Sequence, residues 1–282
     1  MKIKYSIILI VVFIIGYEAH KAKLFPLNRF FSEIYSNNLK EEEEKGPPIT
    51  SQINQNLSNK TMITCPSQEE SIIIVTFGQS NSANHTSQIT SSNSEQILNF
   101  YKGKCYIAAD PLLGATGRGG SVWVNTLLKI NKGQKKIVLI SFGLAGTSIN
   151  DWLVDLKDFY SKNVDSFKFF YPDPNFIIWF QGEANRTSKP RNFKKDLENL
   201  VQMIKKDFLR TRLIITGTTY CKGSYSKEIK DIQLLVSKKY DLLFFDTDQF
   251  ASKKYRFDDC HFSFFGVEKL SDGFSKIINS NL

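Results

Sequence analysis

From residue 71 onward, short apolar runs alternate with longer amphipathic stretches. The runs Ile72–Phe77, Cys105–Ala108, Lys136–Phe142, Phe176–Phe180, Leu213–Thr216 and Leu242–Asp246 are rich in β-branched and aromatic residues. Unbroken apolar runs of this kind predict strands buried on both faces. Helical spacing of apolar positions predicts helices near Val122–Ile130, Ile149–Tyr160, Asn192–Phe208, Lys227–Lys238 and Val267–Ile278. Strands and helices in alternation imply an α/β fold, a mostly parallel sheet covered on both faces in three layers.

The stretch before residue 69 has a different character. Met1-Lys2-Ile3-Lys4 precedes an apolar run from Tyr5 to Tyr17, about the length of a signal-peptide apolar region and short for a membrane span. Ala19 and Ala22 lie one step too far apart for a small-x-small cleavage site, so a removed signal and an uncleaved membrane anchor both stay open for residues 1–17. Either one places the rest of the chain outside the cytoplasm. Residues 18–68 carry Lys40-Glu-Glu-Glu-Glu-Lys45, Gly-Pro-Pro and Asn/Gln/Ser tracts, the composition of a polar stalk or linker, with glycosylation sequons at Asn56 and Asn59. The folded domain is expected over 69–282.

Composition narrows the function classes. With 282 residues and 41% hydrophobic content, the chain can bury one sizeable core. The formal charge of +9 is spread over lysines interspersed with acids rather than gathered into a stripe, which argues against a nucleic-acid partner. Cys65, Cys105, Cys221 and Cys260 fit an oxidising compartment and allow three pairings. Were the strands after Cys65 and at Cys105 parallel neighbours, both cysteines would lie toward their amino ends. Cys221 and Cys260 both follow strands. Cys65–Cys105 and Cys221–Cys260 are the expected pairs. No cysteine or histidine spacing fits a metal site, and neither metal nor cofactor is expected.

The chemistry concentrates at strand ends. Ser80, in Phe77-Gly78-Gln79-Ser80-Asn81, follows the first strand at a turn expected to lead into a helix, where open α/β sheets carry their ligands and an oxyanion is stabilised. A serine hydroxyl needs a base. Among three histidines, His20 lies in the N-terminal segment and His85 is too close in sequence for its ring to reach the Ser80 hydroxyl. His261 closes Asp258-Asp259-Cys260-His261. An aspartate three residues before a histidine on a tight loop can hold its Nδ1–H and leave Nε2 free. Asp259 is the less suitable orienter.

Gly78-Gln79-Ser80-Asn81, Gly146-Thr147-Ser148-Ile149 with Trp152, Trp179-Phe180-Gln181-Gly182-Glu183 and Asp258-x-x-His261 occur in the order of the sequence blocks of the SGNH hydrolases, and resemble most the sialate O-acetylesterase and acetylxylan-esterase branch. Asp110-Pro-Leu-Leu-Gly114 with Gly119-Gly120-Ser121-x-Trp123 resembles the same branch. The resemblance covers about residues 70–280 and implies a flavodoxin-like three-layer fold. It implies Ser80 as nucleophile, His261 as general base and acid, and Asp258 as orienter. The backbone N–H groups of Ser80 and Gly146 and the Gln181 amide would form the oxyanion hole. Gln79 and Asn81 flank the nucleophile and are substrate-side candidates. Glu183 and Asn185 either buttress Gln181, contact substrate hydroxyls or satisfy loop backbone. Trp152 either lines a sugar site or packs in the core; Trp123 is assigned to the core and Arg118 to a solvated loop. The sequence departs from the family at Ser82-Ala83-Asn84-His85, where a Met followed by Gly is commoner. The implied activity is removal of O-acetyl groups from carbohydrate through an acetyl-enzyme. A glycan O-acetyltransferase using the same residues and a catalytically inactive glycan-binding protein are the alternatives.

Overall fold

Along the first central strand, Ile73, Val75 and Phe77 belong to one hydrophobic layer and Ile72 and Ile74 to the other, so the strand is covered on both sides. The computed structural model describes residues 48–282 apart from Ala251. The expected signal or anchor at 1–17 and the linker up to residue 47 lie outside the described residues.

Eight strands form one sheet in the order β1-β4-β3-β5-β2-β6-β7-β8. They are β1 (Met62–Ile63), β2 (Ser71–Gly78), β3 (Ile97–Tyr101), β4 (Lys104–Ile107), β5 (Lys136–Gly143), β6 (Phe176–Phe180), β7 (Arg212–Thr216) and β8 (Leu243–Phe245). From β3 through β8 every pairing is parallel; β4 runs antiparallel to β3, and β1 antiparallel to β4. The helices are α1 (Trp123–Leu128), α2 (Ile149–Leu153), α3 (Lys157–Lys168), α4 (Pro190–Asp207), α5 (Lys227–Lys239) and α6 (Phe264–Asn279). Buried residues of α2 to α5 pack on the Ile73–Phe77 side, and those of α1 and α6 on the Ile72–Ile74 side. This is the expected three-layer α/β/α arrangement.

Three details differ from expectation. The helix expected over Ile149–Tyr160 is two helices, broken at residues 154–156, where Leu156 turns into the core and Val154 is left exposed. The strand β3 lay hidden in sequence because Asn99 interrupts its apolar run; its buried side chain accepts from the Leu113 backbone N–H at 2.7 Å and ties the strand to the next loop. Residues 49–68, expected in the linker, belong to the compact unit 49–282. Ile49, Ile53 and Ile63 pack against its core, and Asn54 exchanges backbone hydrogen bonds with Ala115 and Gly114.

Both disulfides, Cys65–Cys105 and Cys221–Cys260, are formed as paired above. The reason for the first differs. Cys105 stands on β4, which neighbours β1 rather than β2, and the antiparallel register Ile63↔Cys105 brings Cys65 alongside. Both bonds fit an oxidising, extracytoplasmic setting.

The loop between β4 and α1 forms one wall of the region after the sheet, and Asp110 holds it. Its carboxylate accepts from Ser121 Oγ at 2.6 Å and from the Thr90 backbone N–H at 3.1 Å. Burial pushes this carboxyl up to about 7, against the pull of those hydrogen bonds and of Lys60. Between about pH 4 and pH 7 the folded carboxyl therefore keeps a proton that the unfolded chain has lost, so its contribution to stability declines as pH rises through that window. His85, which burial and the neighbouring His261 hold down to about 4, works in the opposite direction up to the ordinary histidine range. A difference measurement separates the two. In urea unfolding, Asp110→Asn should gain on the parent as pH rises from about 4 to 8, by on the order of 2–4 kcal/mol. A pH-independent difference would contradict the buried, proton-retaining carboxyl.

Candidate active site

The chain leaves β2 through Gly78, whose φ of +140° and close approach leave no room for a side chain: a Cβ there would sit 2.0 Å from the Phe180 carbonyl oxygen. The Gln79 N–H then donates to that same carbonyl at 3.1 Å, so the ends of β2 and β6 are locked together. Ser80 opens a single 3-10 turn, Ser80–Ser82, rather than the expected α-helix. At this position the chain offers a bare backbone N–H and not a helix macrodipole. Among the described residues, neither Ser80 Oγ nor the Ser80 backbone N–H has a hydrogen-bond partner.

Gly146 follows β5 with φ +74° and open space around its Cα, so glycine is required there for its backbone conformation rather than for room. Its N–H also has no acceptor among the described residues. The turn is tied down on both sides: Leu144 N–H donates to Gly78 O at 2.9 Å and Ala145 N–H to Thr116 Oγ1 at 2.8 Å.

The third contribution comes from the hairpin after β8. Asp258 Oδ2 and His261 Nδ1 are 2.6 Å apart, while Asp258 Oδ1 accepts from the backbone N–H of His261 at 2.7 Å and of Cys260 at 3.1 Å. Burial works against the Asp258 charge, but the donors from His261 and Cys260 outweigh it and hold the carboxyl below its ordinary range. The hairpin is stapled to the sheet by Cys221–Cys260, by Lys222 N–H to Asp259 O at 2.8 Å, and by Tyr220 Oη to Asp259 Oδ1 at 2.9 Å. Asp259 thus serves the loop, and Asp258 the imidazole.

A cleft of about 410 Å³ brings these pieces together, with Gln79, Ser80, His85, Gly146, Glu183 and His261 on its walls. No hydrogen bond yet joins Ser80 Oγ to His261 Nε2. The Gln79 side chain is pinned through Oε1, which accepts from Gly182 N–H at 3.3 Å and Ala184 N–H at 3.0 Å. Its own amide hydrogens have no acceptor among the described residues.

The other candidates are held by neighbouring loops, and of these only Glu183 lines the cleft. Gln181 is fully buried outside the cleft, and its Nε2 donates to Asn185 Oδ1 at 2.6 Å and to Thr147 O at 3.2 Å. Asn185 Oδ1 also accepts from the Ile149 N–H at 2.9 Å, which fixes its orientation and hence that of Gln181. The pair ties the end of β6 to the Gly146 turn and to the start of α2, and Gln181 is not among the residues that line the cleft. Glu183 Oε1 accepts from Thr219 N–H at 2.9 Å and Thr219 Oγ1 at 2.6 Å, a buttress between strand ends. Trp152 is buried, with Nε1 donating to Thr147 Oγ1 at 3.0 Å, and so belongs to the core and not to a sugar site. Trp123 is also core and donates to Ser82 O at 2.8 Å. Asn81 is buried beside Ser80 with both side-chain polar atoms unpartnered among the described residues.

Two residues went unassigned by sequence reasoning. His85 does not act on Ser80 through a hydrogen bond; its ring stacks on His261, with centroids 5.1 Å apart and planes 27° from parallel. Its Nε2 lies 3.4 Å from Thr116 Oγ1, which is 3.3 Å from Gly143 O. The departure from the family at residues 82–85 was the available signal. Arg256 is buried under the hairpin, donates to Tyr220 O at 3.0 Å and Phe250 O at 3.2 Å, and lies 3.6 Å over the Phe262 ring. Burial lowers its pKa to about 10, opposed by the charges of Glu183 and Asp258. No local sequence pattern marks it.

The model of the carbohydrate esterase family known as the sialic acid-specific acetylesterases (SASA) matches residues 70–278. The chain belongs to this family. It is accordingly a carboxylic ester hydrolase of the carbohydrate-esterase class, and the SGNH resemblance read from its motifs holds. No curated protein matches the sequence. Among solved structures, one from Arabidopsis thaliana is similar with a TM-score of 0.64 at 16% identity, over 77% of this chain and 99% of that one. NanS is similar with a TM-score of 0.56 at 13% identity, over 77% of this chain and 98% of its own. A Geobacillus acetyl-xylooligosaccharide esterase variant has a TM-score of 0.51 at 15% identity, over 76% of this chain and 95% of its own. At such identities these likenesses establish the shared three-layer fold. No helix among the described residues is long and apolar enough to cross a membrane.

Proposed function

We infer that the protein is an extracytoplasmic serine esterase that removes acetyl groups from carbohydrate hydroxyls, with Ser80, His261 and Asp258 as its catalytic residues. The observation that carries this reading is the shared cleft: a serine hydroxyl without a partner, two unsatisfied backbone N–H groups and an imidazole oriented by a carboxylate all border it. In the first step Ser80 Oγ bonds to the acetyl carbonyl carbon while its proton passes to His261 Nε2. The negative oxygen of the tetrahedral intermediate is held by the N–H groups of Ser80 and Gly146. Loss of one such donor costs on the order of 10²–10³ in rate. The free amide hydrogens of Gln79 are suited to be the third donor, with Gln181 as the positioning residue that keeps the Gly146 turn in place. The carbon–sugar oxygen bond then breaks, and His261 returns the proton to the departing hydroxyl. Water attacks the acetyl-Ser80 ester with His261 as base, and acetate leaves.

The family and the named activity of the Geobacillus structural neighbour support carbohydrate as the alcohol. A serine-directed fluorophosphonate should label the protein at Ser80, located by peptide mapping, and acetylated carbohydrates should release acetate. Labelling at another residue, or no labelling with no acetate released, would overturn the reading.

A further inference from the structure

Beyond the catalytic cleft lies a larger groove of about 880 Å³, within the roughly 300–1,000 Å³ of ordinary ligand sites. His85 lines both spaces, so one imidazole is the partition between them. The far wall is the segment 51–56, with Gln52, Gln55 and Asn56 among its side chains; Gly117 and Arg118 form the near wall. That segment precedes the residues matched by the family model, which begin at residue 70. The groove thus joins a segment outside the matched region to His85, Pro111, Gly117 and Arg118 within it.

Its walls are held before any ligand arrives. Asn54 N–H donates to Ala115 O at 2.8 Å and Gly114 N–H to Asn54 O at 3.1 Å. Asn54 Nδ2 donates to Pro111 O at 2.8 Å, and Lys102 Nζ to Gln55 Oε1 at 2.8 Å. His85 is seated by a close glycine: a Cβ at Gly117 would meet its Nε2 at 2.7 Å. Arg118 is exposed and makes no hydrogen bond or ion pair among the described residues, and no acidic side chain lines the groove. The lining thus combines amides that both donate and accept, an exposed guanidinium fork and the His85 imidazole with the apolar surfaces of Ile53 and Pro111. Such a set suits a chain of hydroxyls and ring oxygens.

We propose that this groove binds the saccharide units beyond the acetylated residue, making the protein selective for O-acetylated oligosaccharides over monosaccharides. The proposal rests on the esterase reading of the neighbouring cleft. The acetyl group occupies the Ser80 side, the sugar that carries it passes His85, and the rest of the glycan lies along residues 51–56 and Arg118.

The test compares kcat/KM on a small acetyl ester with that on acetylated xylotetraose against acetylated xylose, and on O-acetylated sialyllactose against O-acetylated sialic acid. The protein is prepared without N-linked glycans, because Asn56 starts an Asn-Leu-Ser sequon in the groove. In at least one series the oligosaccharide should be favoured by about tenfold, the scale of one or two charge-assisted hydrogen bonds. In Gln52→Ala/Arg118→Ala that advantage should vanish while the small ester is hydrolysed at the parent rate. Equal rates on both members of both series, hydrolysis of neither included, would overturn the groove while leaving intact the reading of the cleft if the small ester is still cleaved. An advantage that survives in the double variant, or a parallel fall on the small ester, would also overturn it. Failure of the parent protein on the small ester, with no labelling of Ser80, would strike the esterase reading instead.

Discussion

Replacing Ser80 with alanine is expected to lower kcat/KM for a small acetyl ester by about 10⁴- to 10⁶-fold, the scale seen when a nucleophile that acts as one unit with its base is removed. The size follows from geometry. Ser80 is the serine on the cleft wall that also holds His261, and the covalent step has no substitute once its oxygen is gone. The same substitution should hardly touch stability. Ser80 Oγ makes no hydrogen bond to the described protein, so its removal leaves no donor or acceptor stranded, and the Gly78–Phe180 lock on the turn is a backbone matter. The melting temperature should shift by no more than about 2 °C. Activity near the parent level would place the chemistry elsewhere; a collapse in melting temperature would mean that the serine is structural.

What could be read from sequence, and what could not, divides along the range of the interactions. The parallel strands were legible because a strand covered on both faces must be apolar at every position, as Ile72–Val75 and Phe176–Phe180 are. The break at residues 154–156 was not, because a helix that ends and restarts keeps nearly the same periodicity. The Asp258–His261 bond was legible because both partners sit on one short loop. The fate of Gln181 depends on Asn185 and Thr147, and the orientation of Asn185 depends on the Ile149 N–H. Those dependencies run between two strand ends, and no spacing rule encodes them. His85 is a sharper case. Its closeness to Ser80 in sequence argued against a role, yet the 3-10 turn folds the chain back so that its ring lies flat on His261. Residues 51–56 read as linker because most of them are polar; those polar residues line a groove, while Ile53 alone in the segment packs against the core.

The aspartate offers the more discriminating experiment, because the conservative substitution should be the damaging one. Asp258 Oδ1 accepts two backbone N–H groups, from Cys260 and His261, while Oδ2 alone faces Nδ1. In Asp258→Asn the amide oxygen must keep the Oδ1 position, since two N–H groups are pointed at it. The NH₂ group then takes the place of Oδ2 and presents hydrogens to Nδ1. The imidazole can satisfy them only by leaving Nδ1 bare and carrying its proton on Nε2. That nitrogen then has no lone pair with which to receive the Ser80 proton, so the ring sits in place in the wrong tautomer. A loss of about 10⁴ in kcat is expected. Asp258→Ala removes the orienter but forces no tautomer, so it should be no worse than Asp258→Asn on the small ester. Nitrogen-15 chemical shifts of His261 would locate the proton on Nε2 in the asparagine variant and on Nδ1 in the parent. An asparagine variant that keeps more than about a tenth of parental turnover would show that Nδ1 is not governed by Asp258, because an imidazole held with its proton on Nε2 has no route to such activity.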